Sequence, residues 1–164
     1  MEQPMRIPNR IPVYDYSQSG AYFVTICAQD RKPIFSNIVG DGFPVPKIYG
    51  KIAEAYIRQI PCKFPFVCVD KYVIMPDHIH ILLRIAEHAE EGTSDPSPTI
   101  GKIMGWFKYQ TTKQVNSAAN TAGQKIFQRS YYDHVVRNQQ DYNEIWEYIE
   151  NNPRKWAMTK QGRT

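Results

Sequence analysis

The chain has 164 residues, 42% of them hydrophobic and 13% aromatic, a composition that builds one proper core and excludes a disordered chain. Its net charge of +4 is uneven: residues 1–98 carry 10 Lys and Arg against 11 Asp and Glu, and residues 99–164 carry 10 against 5. A basic C-terminal part permits a polyanionic partner without requiring one.

Cys27, Cys62 and Cys68 are odd in number and lack CxxC spacing. They read as buried, reduced thiols of a cytoplasmic protein and not as a disulfide framework or zinc site. The N-terminal stretch has no apolar leader segment, and no run approaches membrane-spanning length. The expectation is a cytoplasmic protein with no membrane partner.

Residues 1–20 contain Pro and Arg and close on Ser-Gln-Ser-Gly, which reads as an extended arm before a domain at 21–164. Residues 21–28, AYFVTICA, form a strand rich in aromatic and β-branched side chains. Segments 34–39 and 43–48 flank Gly40-Asp41-Gly42 as a small hairpin. Ile48, Ile52, Tyr56 and Ile60 recur every four residues and predict an amphipathic helix over 47–60, ended by Pro61.

Residues 67–85, VCVDKYVIMPDHIHILLRI, read as two strands joined at Met75-Pro76-Asp77, where Pro76 cannot donate to a ladder and Asp77 suits a turn. Alternation in the second strand puts His78, His80, Leu82 and Arg84 on a polar face, and Ile79, Ile81, Leu83 and Ile85 on the opposite one. Two imidazoles at i and i+2 lie roughly 6.5–7 Å apart along the backbone, close enough to lean onto one ion. Lone strand histidines are more often hydrogen-bonded structural residues than ligands, so spacing alone leaves a metal site at even odds.

Residues 86–98, AEHAEEGTSDPSP, form an acidic loop, and its His88 reads as solvated. Ser97 and Pro98 predict the cap and first turn of a helix over 99–115, with Ile100, Met104, Phe107, Thr111 and Val115 inward. Lys102, Lys108 and Lys113 lie elsewhere on it and read as a solvated face before they read as phosphate contacts. Residues 125–137 read as a last strand with an irregular segment at Tyr131-Tyr132-Asp133-His134, and His134 reads as a structural hydrogen bond ahead of a supporting role beside a metal. Asn138 then caps a helix with an apolar stripe at Tyr142, Ile145 and Ile149, ended by Pro153. The order predicts an α+β fold, a ferredoxin-like βαββαβ sandwich with an antiparallel sheet and an added C-terminal helix.

The run Pro76-Asp77-His78-Ile79-His80-Ile81-Leu82-Leu83 resembles the His-hydrophobe-His (HUH) strand of the single-tyrosine HUH transposases, the IS200-like and REP-associated group. Phe23-Val24-Thr25, Tyr131-Tyr132-Asp133-His134 and the stretch 141–153 resemble further segments of the same family. The family's nucleophilic tyrosine falls on Tyr148, with Asn152 one turn later on the same helical face. Without the resemblance Tyr148 would read as an ordinary residue of a helix–sheet seam.

What the resemblance implies is a metal-dependent single-stranded DNA transesterase acting on hairpin-forming ends through a 5′-phosphotyrosine intermediate. His78, His80 and Asn152 would hold Mg2+ or Mn2+, and Tyr148 would attack. Partners would be single-stranded or hairpin DNA and, as in other members, a second copy in a homodimer. The alternative is a catalytically inactive, domesticated hairpin DNA- or RNA-binding protein on the same fold. A weaker third reading is a metal-binding protein with no nucleic-acid partner.

Overall fold

The computed structural model describes residues 20–86 and 99–161, with side chains to residue 159, so residues 1–19 of the arm and 87–98 of the acidic loop, with His88, Ser97 and Pro98, lie outside the described residues. Strands β1 (Gly20–Cys27), β4 (Val67–Ile74), β5 (His78–Ile85) and β6 (Tyr132–Val135) form an antiparallel sheet in the order β4-β5-β1-β6. That order is the one expected of a ferredoxin-like βαββαβ sandwich, with the strands before and after each crossover helix separated by one neighbour. β2 (Ser36–Val39) and β3 (Phe43–Pro46) pair as a separate hairpin.

Helices α1 (Ile48–Lys63) and α2 (Ile100–Ala118) cover one face of the sheet. Tyr22, Val24 and Ile26 of β1 join Ile79, Ile81, Leu83 and Ile85 of β5 beneath them, with Ala53, Ile57, Ile103, Met104 and Phe107 from the helices. Helix α3 (Gln139–Gln161) covers the other face and buries Phe23, Val73, Met75 and Leu82 against Ile145, Tyr148 and Ile149. The period-two alternation in β1 and β5 therefore serves two cores, one on each side.

Several sequence expectations need correction. Pro61 does not end α1, which runs to Lys63. A proline in the last turn deletes one N–H but leaves the closing bond from Phe64 N to the Ile60 carbonyl at 2.8 Å. Pro153 does not end α3 either. Beyond it Ala157 is buried and Trp156 packs on the apolar cluster, so tertiary packing offsets the lost bond. Thr99 is the cap of α2, its hydroxyl accepting from Lys102 N at 3.2 Å. The last strand is only four residues long, and 126–128 instead pair briefly with the end of β1 and the residues just after it. Cys27 is buried as expected, whereas Cys62 and Cys68 are exposed thiols.

Gly42 explains how the small hairpin meets α3. Its φ is +129°, and a Cβ there would stand 2.4 Å from the Arg154 Cα. Only glycine permits that approach. The contact sets the hairpin against the turn of α3 that follows Asn152.

Candidate active site

The predicted residues converge. Val67–Ile74 and His78–Ile85 form the hairpin, with Met75 N donating to the His78 carbonyl at 2.9 Å across the turn. His78 and His80 point to the α3 side with ring centroids 4.6 Å apart. Their strand face is not solvated, since α3 lies over it and leaves them 3% and 2% exposed. The expectation of a polar face is thus overturned by the helix that covers it.

Each ring is held by its Nδ1. That of His78 lies 2.7 Å from Asp77 Oδ1, and that of His80 lies 2.8 Å from Thr25 Oγ1. Burial would raise the Asp77 carboxyl, but the His78 hydrogen bond and the Arg31 guanidinium outweigh it and hold it below its ordinary value. An ionised carboxylate only accepts, so Nδ1 is the ring nitrogen of His78 that donates to it, and Nε2 faces the interior under α3. Arg31 Nε donates to the other Asp77 oxygen at 3.1 Å, and its Nη1 donates to Cys27 Sγ at 3.0 Å. His80 is held well below its ordinary pKa by burial, then by the charges of His78 and Arg31. A buried neutral imidazole is ligand chemistry.

Helix α3 supplies the rest. The Tyr148 ring sits 5.4 Å from that of His80 and 5.9 Å from that of Phe23. Trp156 sits 6.3 Å from His78. Asn152 lies one turn from each on the same helical face, and is itself buried. Burial pushes the Tyr148 phenol above its ordinary pKa, and the nearby Asn152 amide tempers the rise without closing a hydrogen bond to it. Lys155 Nζ lies 5.9 Å from the Tyr148 ring, placing a positive charge near the phenol.

Among the described residues, His78 Nε2, His80 Nε2, Tyr148 Oη and Asn152 Oδ1 are all buried without a hydrogen-bond partner. Orphaned buried polar atoms are costly, and a cluster of them in one place marks a site shaped for something it binds. Two imidazole nitrogens and an amide oxygen suit a divalent cation. No group of three or more His, Cys, Asp and Glu side chains that could hold a metal exists among the described residues, so the amide is needed to complete a triad of protein donors.

His134 stands apart from this cluster: its Nε2 meets Asp141 Oδ2 at 2.7 Å at the start of α3, the structural bond the sequence predicts. Tyr142 is only half-buried, its hydroxyl donating to Asp70 at 2.6 Å, and burial together with that carboxylate pushes it up to about 12. The sequence reading missed Thr25, Arg31 and the supporting role of Asp77. Asp77 had a signal, an acid beside the first histidine of the pair. Thr25 and Arg31 fall in or just after the run that resembles the family's first strand, but their contacts with His80 and Asp77 come from strand pairing and a loop, which that run does not announce.

The comparisons bear on the family and the fold. The family model for IS200-like transposases matches residues 17–152. An uncharacterized Haemophilus influenzae protein is 31% identical over 162 residues, covering 91% of this chain and 88% of its own length. A second protein of that organism, provisionally named a REP-associated tyrosine transposase, is 29% identical over 149 residues, covering 86% and 74%. The solved structure of a REP-associated tyrosine transposase bound to a REP hairpin superposes with a TM-score of 0.58 at 19% identity, covering 89% of this chain and 73% of that one. It shares the fold. The chain belongs to the IS200-like family of single-tyrosine HUH transposases.

Proposed function

We propose that the protein is a metal-dependent single-stranded DNA transesterase that cuts and rejoins hairpin-forming DNA through Tyr148. The observation that carries this reading is the cluster of four orphaned buried atoms from His78, His80, Tyr148 and Asn152 under α3. A structural role would leave such atoms paired, whereas a reaction site keeps them for substrate and metal.

His78 Nε2, His80 Nε2 and Asn152 Oδ1 would hold Mg2+ or Mn2+, which when bound would draw charge from the oxygens of the scissile phosphate. Asp77 and Thr25 hold the two rings by their Nδ1 atoms, which leaves each Nε2 turned toward such an ion. Tyr148 Oη attacks phosphorus, the bond to the 3′-oxygen breaks, and the phenolic proton is matched by protonation of that oxygen. The products are a 5′-phosphotyrosine and a free 3′-hydroxyl. Rejoining is the same exchange in reverse, so the ester bond is conserved and no nucleotide cofactor is consumed.

The raised phenol pKa means that Tyr148 arrives protonated at neutral pH. Its attack therefore depends on an already polarised phosphate. The buried donors also require that α3 yield to admit the strand. The related REP-associated transposase was solved bound to a REP hairpin, which supports hairpin DNA as the substrate class here.

The test is a nicking assay on single-stranded hairpin oligonucleotides with Mn2+, with and without chelator. Metal-dependent cleavage is the expected result. Salt-dependent binding without cleavage would instead identify the inactive binding module.

A further inference from the structure

A second cleft, of about 530 Å³, opens between α2 and the segment 123–129. Lys108, Lys125 and Arg129 line it with the amides of Gln29, Gln124 and Gln128, and no carboxylate lines it. Lys125 and Arg129 are exposed, and no ion pair ties either of them among the described residues. Lys108 is not the solvated lysine its helix position predicts. Its Nζ donates to the carbonyls of Gln128 at 2.7 Å and Arg129 at 2.8 Å. Two of its three protons are spent holding the wall, and the charge is fixed behind the cleft.

The cleft is coupled to the candidate active site through the backbone. Gln29 N donates to the Ile126 carbonyl at 2.8 Å, and Gln128 N donates to the Cys27 carbonyl at 2.9 Å. Cys27 is the register partner of His78, and Ala28 N donates to the Asp77 carbonyl at 2.9 Å. The wall of the cleft is thus stitched to the chain that pairs with the first histidine. Arg31, two residues past Gln29, stands at the junction with its guanidinium on Asp77.

We infer that this cleft is a single-strand subsite that holds the sugar–phosphate backbone beside the cleavage position. Lys125 and Arg129 meet phosphates, Lys108 supplies a fixed charge, and the three amides donate to phosphate or base edges. Cations without a competing carboxylate favour a polyanion, and the backbone bonds run from this wall to the strand end that pairs with His78. The inference rests on the transesterase reading and adds the path of its substrate.

The experiment measures binding of a labelled single-stranded oligonucleotide to the full chain across a salt series. Its proteins are wild type, the Lys125→Ala/Arg129→Ala double variant and Lys113→Ala, an exposed α2 lysine outside the cleft. The double variant should lose about tenfold in affinity, and its slope of log K against log salt should fall by about 1.4, roughly 0.7 per phosphate contact. Lys113→Ala should match wild type. Neutral methylphosphonate linkages placed one at a time should narrow the difference between wild type and the double variant at positions flanking the cut, and leave it unchanged elsewhere. Unfolding curves should coincide, since both side chains are exposed.

If the double variant keeps wild-type affinity and slope while wild type still forms its covalent adduct, the subsite is wrong and the transesterase reading stands. If wild type neither binds single-stranded DNA nor forms an adduct, both fall.

Discussion

The two faces of the central sheet use the same alternating strands for opposite purposes. Under α1 and α2, β1 and β5 present Tyr22, Val24, Ile26, Ile79, Ile81, Leu83 and Ile85, a continuous apolar surface matched by apolar helix residues. Under α3 the same strands present Phe23, Thr25, His78, His80 and Leu82, and the helix answers with Ile145 and Ile149 but also with Tyr148 and Asn152. The first face gains stability from nearly every side chain. The second gives some up, because four of its buried polar atoms have no partner. The lesson is that α3 is a helix held by apolar residues and spent on polar ones.

The largest expected effect comes from breaking the α3 side at His80. His80→Ala should lower cleavage about a thousandfold. Because the ring is packed between Phe23, His78 and Tyr148, the variant should also lose on the order of 2 kcal/mol of stability. Cleavage assays and urea unfolding would measure both. A variant that cleaves like wild type would show the imidazole to be structural.

The counterpart on the other face is Ile81→Ala. It empties a fully buried position under α1 and α2 and should cost about 3 kcal/mol. Cleavage per folded molecule should stay close to wild type. Loss of both in equal measure would mean that the two faces are not functionally separate.

How much of this was legible follows from where each signal lives. The hairpin 67–85 was legible because alternation, Pro76 and the histidine pair lie within one short stretch. The sheet order followed from the order of the elements. The covering of His78 and His80 was not legible, since their strand shows only alternation and the burial comes from a helix some sixty residues on. Pro61 and Pro153 read as stops because a local rule cannot see the packing that carries each helix past its proline. The partners Thr25 and Arg31 depend on cross-strand register and on a loop, which no local pattern announces.

A smaller effect sharpens the comparison through pH. The folded His80 titrates well below its unfolded value of about 6.5, so the unfolded chain binds the extra proton. The associated stability is present above about pH 6.5 and is lost as pH falls, by up to about 1.4 kcal/mol per unit for one site. Urea unfolding of metal-free protein at a series of pH values between about 7.5 and about 5, spanning that pKa, should show the decline. His80→Gln should flatten it. Equal slopes in the two proteins would contradict a buried neutral His80.

The smallest effect concerns Asn152. An amide oxygen is a weak donor that water or DNA oxygens can replace. Asn152→Ala should raise the Mn2+ concentration needed for half-maximal cleavage by about tenfold while leaving the maximal rate within a few-fold. An unchanged titration would remove Asn152 from the site.

The central claim is that the face under α3 is a reaction site with Tyr148 as nucleophile. The most direct measurement traps the covalent complex on a hairpin oligonucleotide and maps it by mass spectrometry, with Tyr148→Phe alongside. That variant deletes a buried hydroxyl that has no partner, so its stability should match or slightly exceed wild type. The account predicts a nucleotide on the peptide containing Tyr148 in wild type, and no adduct from a folded, DNA-binding Tyr148→Phe. An adduct on any other tyrosine, or cleavage by Tyr148→Phe, would contradict it.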